Sequence, residues 1–329
     1  MTVSLSQDHL RQMAARWLEP YRVPKRFRIH TDTTDFFRVD FDDIVVLNDR
    51  PFLIRHNLKE LRYGLDGDVK FWVKGAVDLT DGRRKIIKLA FFEKFITKIA
   101  GVEFECFRSP AKEARILNLV AGMNNFMHGH SAEDDRSNII RILDFIKGRS
   151  LMSYVMEMKD DHRAYFYHQF PDILDRFLES VRAIRFLHEH DERHGDIRRD
   201  HILIDRENGD FRWIDFDYNY RYLDNPYAYD LFGLGNILIF LVGKGDVLIP
   251  ELKKQNPSLL SNLSEEDLNI VFNNRVANLR KIYPYIPQSM NQVLLHFSKG
   301  AHVFYDDAKE LLDDLEEARE EIRGKTSTA

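Results

Sequence analysis

Residues 194–217 read HGDIRRDHILIDRENGDFRWIDFD, and the fold turns on how this stretch is parsed. Ile202-Leu203-Ile204 and Phe211-Arg212-Trp213-Ile214 are two short apolar runs joined by Arg206-Glu207-Asn208-Gly209-Asp210. That pattern predicts a β-hairpin with an Asn-Gly type turn. Asp196 then stands just before the first strand and Asp215 just after the second, so both carboxylates emerge at one end of the hairpin. One carboxylate beside an acceptor hydroxyl and another on a metal is the arrangement that phosphoryl transfer needs.

The surrounding composition narrows the class. A chain of 329 residues with 44% hydrophobic content can bury one large core or two modest ones, and two lobes are expected. Lys+Arg 48 against Asp+Glu 53 leaves a net charge of −5, which argues against a general binder of nucleic acid or anionic membrane. Cys106 is the one cysteine, so an intrachain disulfide and a cysteine-based zinc cluster are excluded. The opening MTVSLSQDHLRQMAARW lacks an apolar core of signal-peptide length, and the apolar run 231–242 is too short to span a bilayer. A cytoplasmic protein is the expectation, with no nucleic-acid or membrane partner.

Residues 4–18 carry Leu10, Met13 and Trp17 at helical spacing, with Ser6 as a cap. Strand-like runs follow at 27–29, 36–39, 44–47, 52–54, 69–79 and 84–90, so the first third reads as mostly antiparallel sheet. Helical spacing returns at 110–120, a polar loop covers 122–138, and strands are expected at 139–146 and 151–158. From Pro171 to His188 the apolar positions form one helical stripe. Residues 218–229 read as an aromatic link, 230–242 as a buried helix, and 265–282, 288–299 and 304–323 as further helices, with 324–329 frayed. The domain reading is an extension at 1–60, a sheet-rich lobe at 61–158, a helical lobe at 159–323 and a tail at 324–329.

In this order of parts the chain resembles the protein-kinase-like superfamily, as a bacterial atypical kinase related to the aminoglycoside- and choline-kinase-like phosphotransferases. The resemblance covers residues 61–312 and implies an α+β, bilobal fold, with an antiparallel-sheet N-lobe carrying one main helix and a mostly helical C-lobe. It assigns Asp196 in His194-Gly195-Asp196 to the catalytic aspartate and Arg198 to the basic residue two positions on. Asp215 in Ile214-Asp215-Phe216-Asp217 matches the metal-binding aspartate, Lys88 the strand lysine and Glu113 the helix glutamate. Asp230 resembles the aspartate that braces the catalytic loop. Gly64 and Gly67 fall where a phosphate loop is expected, and Glu157 and Met158 where adenine would meet the hinge. ATP and Mg²⁺ are the implied cofactors, Mn²⁺ the other metal the set could take, and a hydroxyl-bearing small molecule or protein the implied acceptor.

The pattern is departed from in three places. His201 occupies the position of the metal-binding Asn, and an imidazole suits Mn²⁺ or another transition metal better than Mg²⁺. Three readings follow: Asp217 supplies the missing oxygen, His201 takes a softer metal, or the site is catalytically weak. Gly64-Leu65-Asp66-Gly67-Asp68 lacks the full glycine pattern. Asp230 follows Asp215 by only fifteen positions, too few for a long activation segment. An inactive pseudokinase that binds nucleotide or a partner is therefore the alternative. His188-Glu189-His190-Asp191-Glu192-Arg193-His194 and His128-Gly129-His130 look like ligand sets but read as a helix end and a loop.

Overall fold

The computed structural model describes residues 6–60, 68–99, 101–221 and 224–326. The chain is α+β and divides into two compact units, one of Met1–Glu93, Arg108–Met123 and Met127–Ile146, the other of Lys94–Phe107, Asn124–Phe126 and Lys147–Ala329.

The first unit is built on a seven-stranded sheet in the order Ile29–His30, Ile44–Leu47, Arg50–Glu60, Asp68–Asp78, Arg84–Lys88, Ile139–Asp144, Gly129–Glu133. Neighbours are antiparallel except the first pair, which is parallel. Strand alternation sorts the side chains onto two faces. Val45, Phe52, Ile54, Ala76, Ile87, Ile140 and Ile142 share one core cluster. Ile44, Leu53 and Leu79 share another with Leu10, Ala14 and Phe27. The helix Gln7–Ala15 brings Leu10 and Ala14 there, and it begins on Ser6, whose hydroxyl accepts from the His9 N–H at 3.2 Å. The helix Pro110–Leu119 begins in the same way on Ser109, with proline in its first turn.

The second unit is organised around Phe170–Glu189, whose apolar stripe Ile173, Leu174, Phe177, Leu178, Val181, Ile184 and Leu187 is buried. Ala308–Thr326 and Ala228–Val242 pack against it. The predicted hairpin is present as Ile202–Asp205 paired antiparallel with Phe211–Trp213, and Gly209 takes the left-handed φ of 77° that its turn requires. Gly148–Ser150 adds a third strand. A separate three-stranded sheet joins Tyr218–Arg221 to Val102–Arg108 and Lys94–Ile99.

Several local expectations are corrected. Residues 36–39 are not a strand: Phe36–Arg38 is a 3₁₀ turn, because the Asp35 carboxylate accepts from the Phe37 N–H. The polar segment 122–138 contains the edge strand Gly129–Glu133, which buries only Ala132 and leaves its polar side chains outward. Residues 151–158 form no strand; Ser150 caps a helix over Leu151–Met156 by accepting from the Ser153 N–H at 3.2 Å. Nor do 265–282 form a helix. There the buried Asp267 carboxylate binds Ser264, Asn278 and Lys281, closing a loop with 3₁₀ turns at Glu265–Asp267 and Leu279–Lys281. The aromatic link at 218–229 holds the strand Tyr218–Arg221, the Gln288 helix stops at Leu295, and the last helix runs through Thr326, beyond the expected fraying point at Gly324. Helices at His162–His168 and Ile249–Gln255 and the hairpin at 94–108 had no counterpart in the sequence reading.

That hairpin is held by Ile99, Phe104 and Cys106 against Tyr220. Phe104 is fully buried, with its ring 6.0 Å from Tyr220 and 5.3 Å from Tyr229. Truncating such a phenylalanine costs about 3–5 kcal/mol. Phe104→Ala is therefore expected to lower the unfolding midpoint and to open residues 94–107 and 218–221 to limited proteolysis together; loss of protection in only one of the two segments would contradict their shared packing.

Candidate functional site

Lys88 ends the strand Arg84–Lys88, in register with Val73 on one side and Arg141 on the other. Its Nζ donates to Glu113 Oε1 at 2.7 Å, and Arg141 Nε donates to Glu113 Oε2 at 2.9 Å. Lys88 is 1% exposed, and Glu113 and Arg141 are 0% exposed. Breaking a buried pair by removing one partner costs about 3–5 kcal/mol, so each group's place in the core depends on the others. Glu113 lies in the first turn of its helix, where a negative charge is also favoured.

In the second unit, the long helix ends at Glu189 and the chain turns through Asp191 and Gly195, both left-handed with φ of 57° and 84°. Asp230, fully buried on the helix Ala228–Val242, holds that turn from beneath. Its Oδ2 accepts from the His194 N–H at 2.8 Å and from His188 Nε2 at 3.1 Å, and its Oδ1 accepts from the Gly195 N–H at 2.8 Å. Burial on its own would push the Asp230 carboxyl up, but the His188 hydrogen bond, the neighbouring His188 and His194 rings and the Gly195 N–H together bring it below the usual value. The Tyr227 ring stacks on His188 at 4.1 Å, and its hydroxyl donates to the His188 carbonyl at 2.8 Å.

The brace delivers Asp196 at the start of the hairpin. Ile214 N donates to the His201 carbonyl at 2.9 Å, which extends the ladder past the strands and brings Asp215 beside the Asp196 loop. His201, 4% exposed, sits between the two carboxylates. Its Nδ1 donates to the Asp196 backbone carbonyl at 2.8 Å and lies 3.5 Å from Asp196 Oδ2; its Nε2 lies 3.8 Å from Asp215 Oδ2. Because Nδ1 must carry a proton to donate, a neutral ring turns its Nε2 lone pair toward Asp215. Asp215 has a φ of 62°, a left-handed conformation that few residues other than glycine, asparagine and aspartate tolerate.

Arg198 is engaged by Asp200, with Nε to Oδ1 at 3.1 Å and Nη2 to Oδ2 at 2.5 Å, and its Nη1 lies 4.0 Å from Asp196 Oδ2. Burial pushes the Asp200 carboxyl up, yet the neighbouring His201 ring and the Arg198 hydrogen bond leave it lowered. Asp217 is fully buried. Burial and the Asp196 carboxylate push the Cys106 thiol up to about 11, so the residue is an inert packing group of the hairpin.

Within the first unit the structure brings together Lys88 and Glu113, and within the second Asp196, Arg198, His201 and Asp215. Gly64 and Gly67 lie outside the described residues. Glu157 is the C-cap of the helix Leu151–Met156 and is ion-paired with Arg149 at 2.5 Å, while the Met158 carbonyl accepts from Lys244 at 2.9 Å. Neither residue continues a strand. Arg141 and Asp200 were missed, although an arginine inside Ile139-Ile140-Arg141-Ile142-Leu143 is a visible signal of a buried ion pair.

Among the described residues no three His, Cys, Asp or Glu side chains form a self-sufficient metal site. The donor set nonetheless suits a metal that keeps water and substrate phosphate as its other ligands, anchored by Asp215. No helix among the described residues is long and apolar enough to cross a membrane.

No protein-family model matches the chain. Over 100 residues it is 30% identical to the 2-5A-dependent ribonuclease of Mus musculus, a match that covers 28% of this chain and 14% of that protein's length. Among solved structures it is similar to the PknI kinase domain of Mycobacterium tuberculosis, at 13% identity, 81% of this chain, 96% of that chain and a TM-score of 0.44. Within the first unit a strand lysine is paired with a helix glutamate, and within the second an H-G-D loop is braced by a buried aspartate ahead of a hairpin that leads into D-F-D.

Replacing Asp230 strands two backbone N–H groups, each costing about 1–3 kcal/mol. Asp230→Ala is expected to lose about 2–5 kcal/mol in denaturant titrations. Since the folded carboxyl lies below its unfolded value of about 3.9, the stabilisation is complete above that value and disappears as pH falls through the folded one. A plot of Tm against pH for Asp230→Asn should lack that acid component; the same acid limb in both proteins would contradict the assignment.

Proposed function

We propose that the chain is an ATP-dependent phosphotransferase acting on a hydroxyl acceptor. The observation that carries this reading is the fixed pairing of the Asp196 loop with Asp215 through His201, at 2.8 Å to the Asp196 carbonyl and 3.8 Å to the Asp215 carboxylate. It sets a carboxylate base beside a carboxylate metal anchor on a rigid hairpin. Asp196 takes the proton of the acceptor hydroxyl as its oxygen bonds to the γ-phosphorus, and the bond from that phosphorus to the β–γ bridging oxygen breaks, leaving ADP. Arg198 offsets charge on the transferred group, and Lys88, oriented by Glu113, binds polyphosphate. A divalent ion on Asp215 supplies neutralisation of phosphate charge; His201 Nε2 makes Mn²⁺ a better match than in an asparagine-bearing site, with Asp217 as the second carboxylate.

A small molecule is favoured as acceptor over a protein. The segment after Asp217 is a strand within the sheet of the 94–108 hairpin, and Arg193 Nη1 donates to the Tyr220 carbonyl at 2.7 Å. That arrangement supplies no long mobile segment for phosphorylation or for an extended peptide. The balanced charge speaks against nucleic acid as partner, and the lone buried Cys106 suits a reducing compartment such as the cytoplasm. His201 in place of asparagine also favours a second reading, a pseudokinase that binds nucleotide without turnover.

The test combines thermal shift with a phosphate-transfer screen across hydroxyl metabolites, in Mg²⁺ and in Mn²⁺. ATP at about 100 times its Kd should add ~2.7 kcal/mol. Asp196→Ala should keep that stabilisation and lose about 10²–10⁴-fold in rate. Stabilisation without transfer would establish the pseudokinase, and no stabilisation with either metal would sink both readings. His201→Asn is expected to move the metal preference from Mn²⁺ toward Mg²⁺, measured as the ratio of nucleotide-induced Tm shifts.

A further inference from the structure

Arg141 stands in the middle of Ile139–Asp144, between Ile140 and Ile142, and is completely buried. Its register partner across the antiparallel pair is Lys88. Two cations directly opposite each other destabilise a sheet, and an arginine in a buried strand is costly to keep charged. The Glu113 carboxylate lies between them and gives one oxygen to each, Oε1 to Lys88 at 2.7 Å and Oε2 to Arg141 at 2.9 Å. The guanidinium is itself fastened to its own strand, with Nη1 donating to the Ile139 carbonyl at 2.8 Å. Binding of polyphosphate by Lys88 and Glu113 does not by itself call for this third residue.

We propose that Arg141 is a positioning residue that holds Glu113, and with it the helix Pro110–Leu119, in the lysine-paired arrangement before any ligand binds. The two partners of Glu113 differ in kind. An ammonium is a point charge on a flexible stem, and it is the group that a phosphate would engage. A guanidinium is planar, permanently charged and here locked by a second hydrogen bond, so it keeps its hold on Oε2 whatever Lys88 does. The helix is thereby tied to the sheet through a contact that nucleotide does not compete for. The lysine–glutamate pair is then a constitutive feature of the first unit, not a switch closed by ligand or by modification. The kinetic consequence rests on the phosphotransferase reading; the structural one does not.

Hydrogen exchange of the helix amides at 113–119 tests this in the full chain. In the ligand-free wild type these amides should exchange as slowly as those of the strand at 139–144 and gain little on adding ATP with Mn²⁺. Arg141→Met, an unbranched apolar replacement, should speed their exchange about tenfold without ligand while leaving the second unit unchanged, and nucleotide should restore protection. Arg141→Lys should recover part of it. In turnover assays Arg141→Met should raise the nucleotide KM more than it lowers kcat, because nucleotide must then draw the helix into place. Equal exchange in Arg141→Met and wild type would overturn the proposal. Should Arg141→Met not fold, the wild-type comparison decides: helix amides that are fast without ligand and slow with it would overturn the proposal, and amides already slow would support it. If the wild type binds no nucleotide, the phosphotransferase reading fails while the ligand-free exchange still tests Arg141.

Discussion

The arrangement of the loop at residues 194–196 depends on one buried carboxylate. Asp230, on the largely apolar helix Ala228–Val242, accepts from the backbone N–H groups of His194 and Gly195 and from the His188 ring. Without it, a turn that already contains two left-handed residues would leave two backbone N–H groups unbonded in a buried place. With it, the loop is held from beneath, and Asp196 emerges just ahead of the hairpin. His201 and the one-step extension of the ladder at Ile214 then transmit that position to Asp215. The site is thus a consequence of backbone hydrogen bonding more than of side-chain attraction.

The first unit uses the same device in a different setting. Glu113 is a buried carboxylate whose two oxygens answer two cations brought face to face by strand register. In both units a fully buried acid has both oxygens hydrogen-bonded by surrounding donors. Each carboxylate ties two elements together at a point where apolar packing alone would set no exact geometry. The two differ in what they tie: Asp230 holds a loop to a helix, and Glu113 holds a helix to a sheet.

The hairpin at 94–108 adds a constraint of its own. By pairing with Tyr218–Arg221 it gives the stretch after Asp217 the regularity of a strand, and Phe104, Cys106, Tyr220 and Tyr229 cover the join with apolar and aromatic surface. A short segment fixed in this way has no need of phosphorylation to become ordered.

By itself the sequence determined the α+β organisation, the hairpin between Asp196 and Asp215, the long helix before it, and the buried helix that carries Asp230. These were legible because each rests on local information: an Asn-Gly turn between apolar runs, a 3.6-residue stripe, or an apolar run. Only the tertiary structure decided that 151–156 is a helix, that 265–282 is a loop closed by Asp267, and that Gly129–Glu133 and Tyr218–Arg221 are strands. In those places a cap, a buried carboxylate or a partner strand far along the chain overrides local propensity. The joint hold of Lys88 and Arg141 on Glu113 belongs to the same category. Register between strands more than fifty residues apart puts the two cations side by side, and nothing near either residue in the chain announces the other.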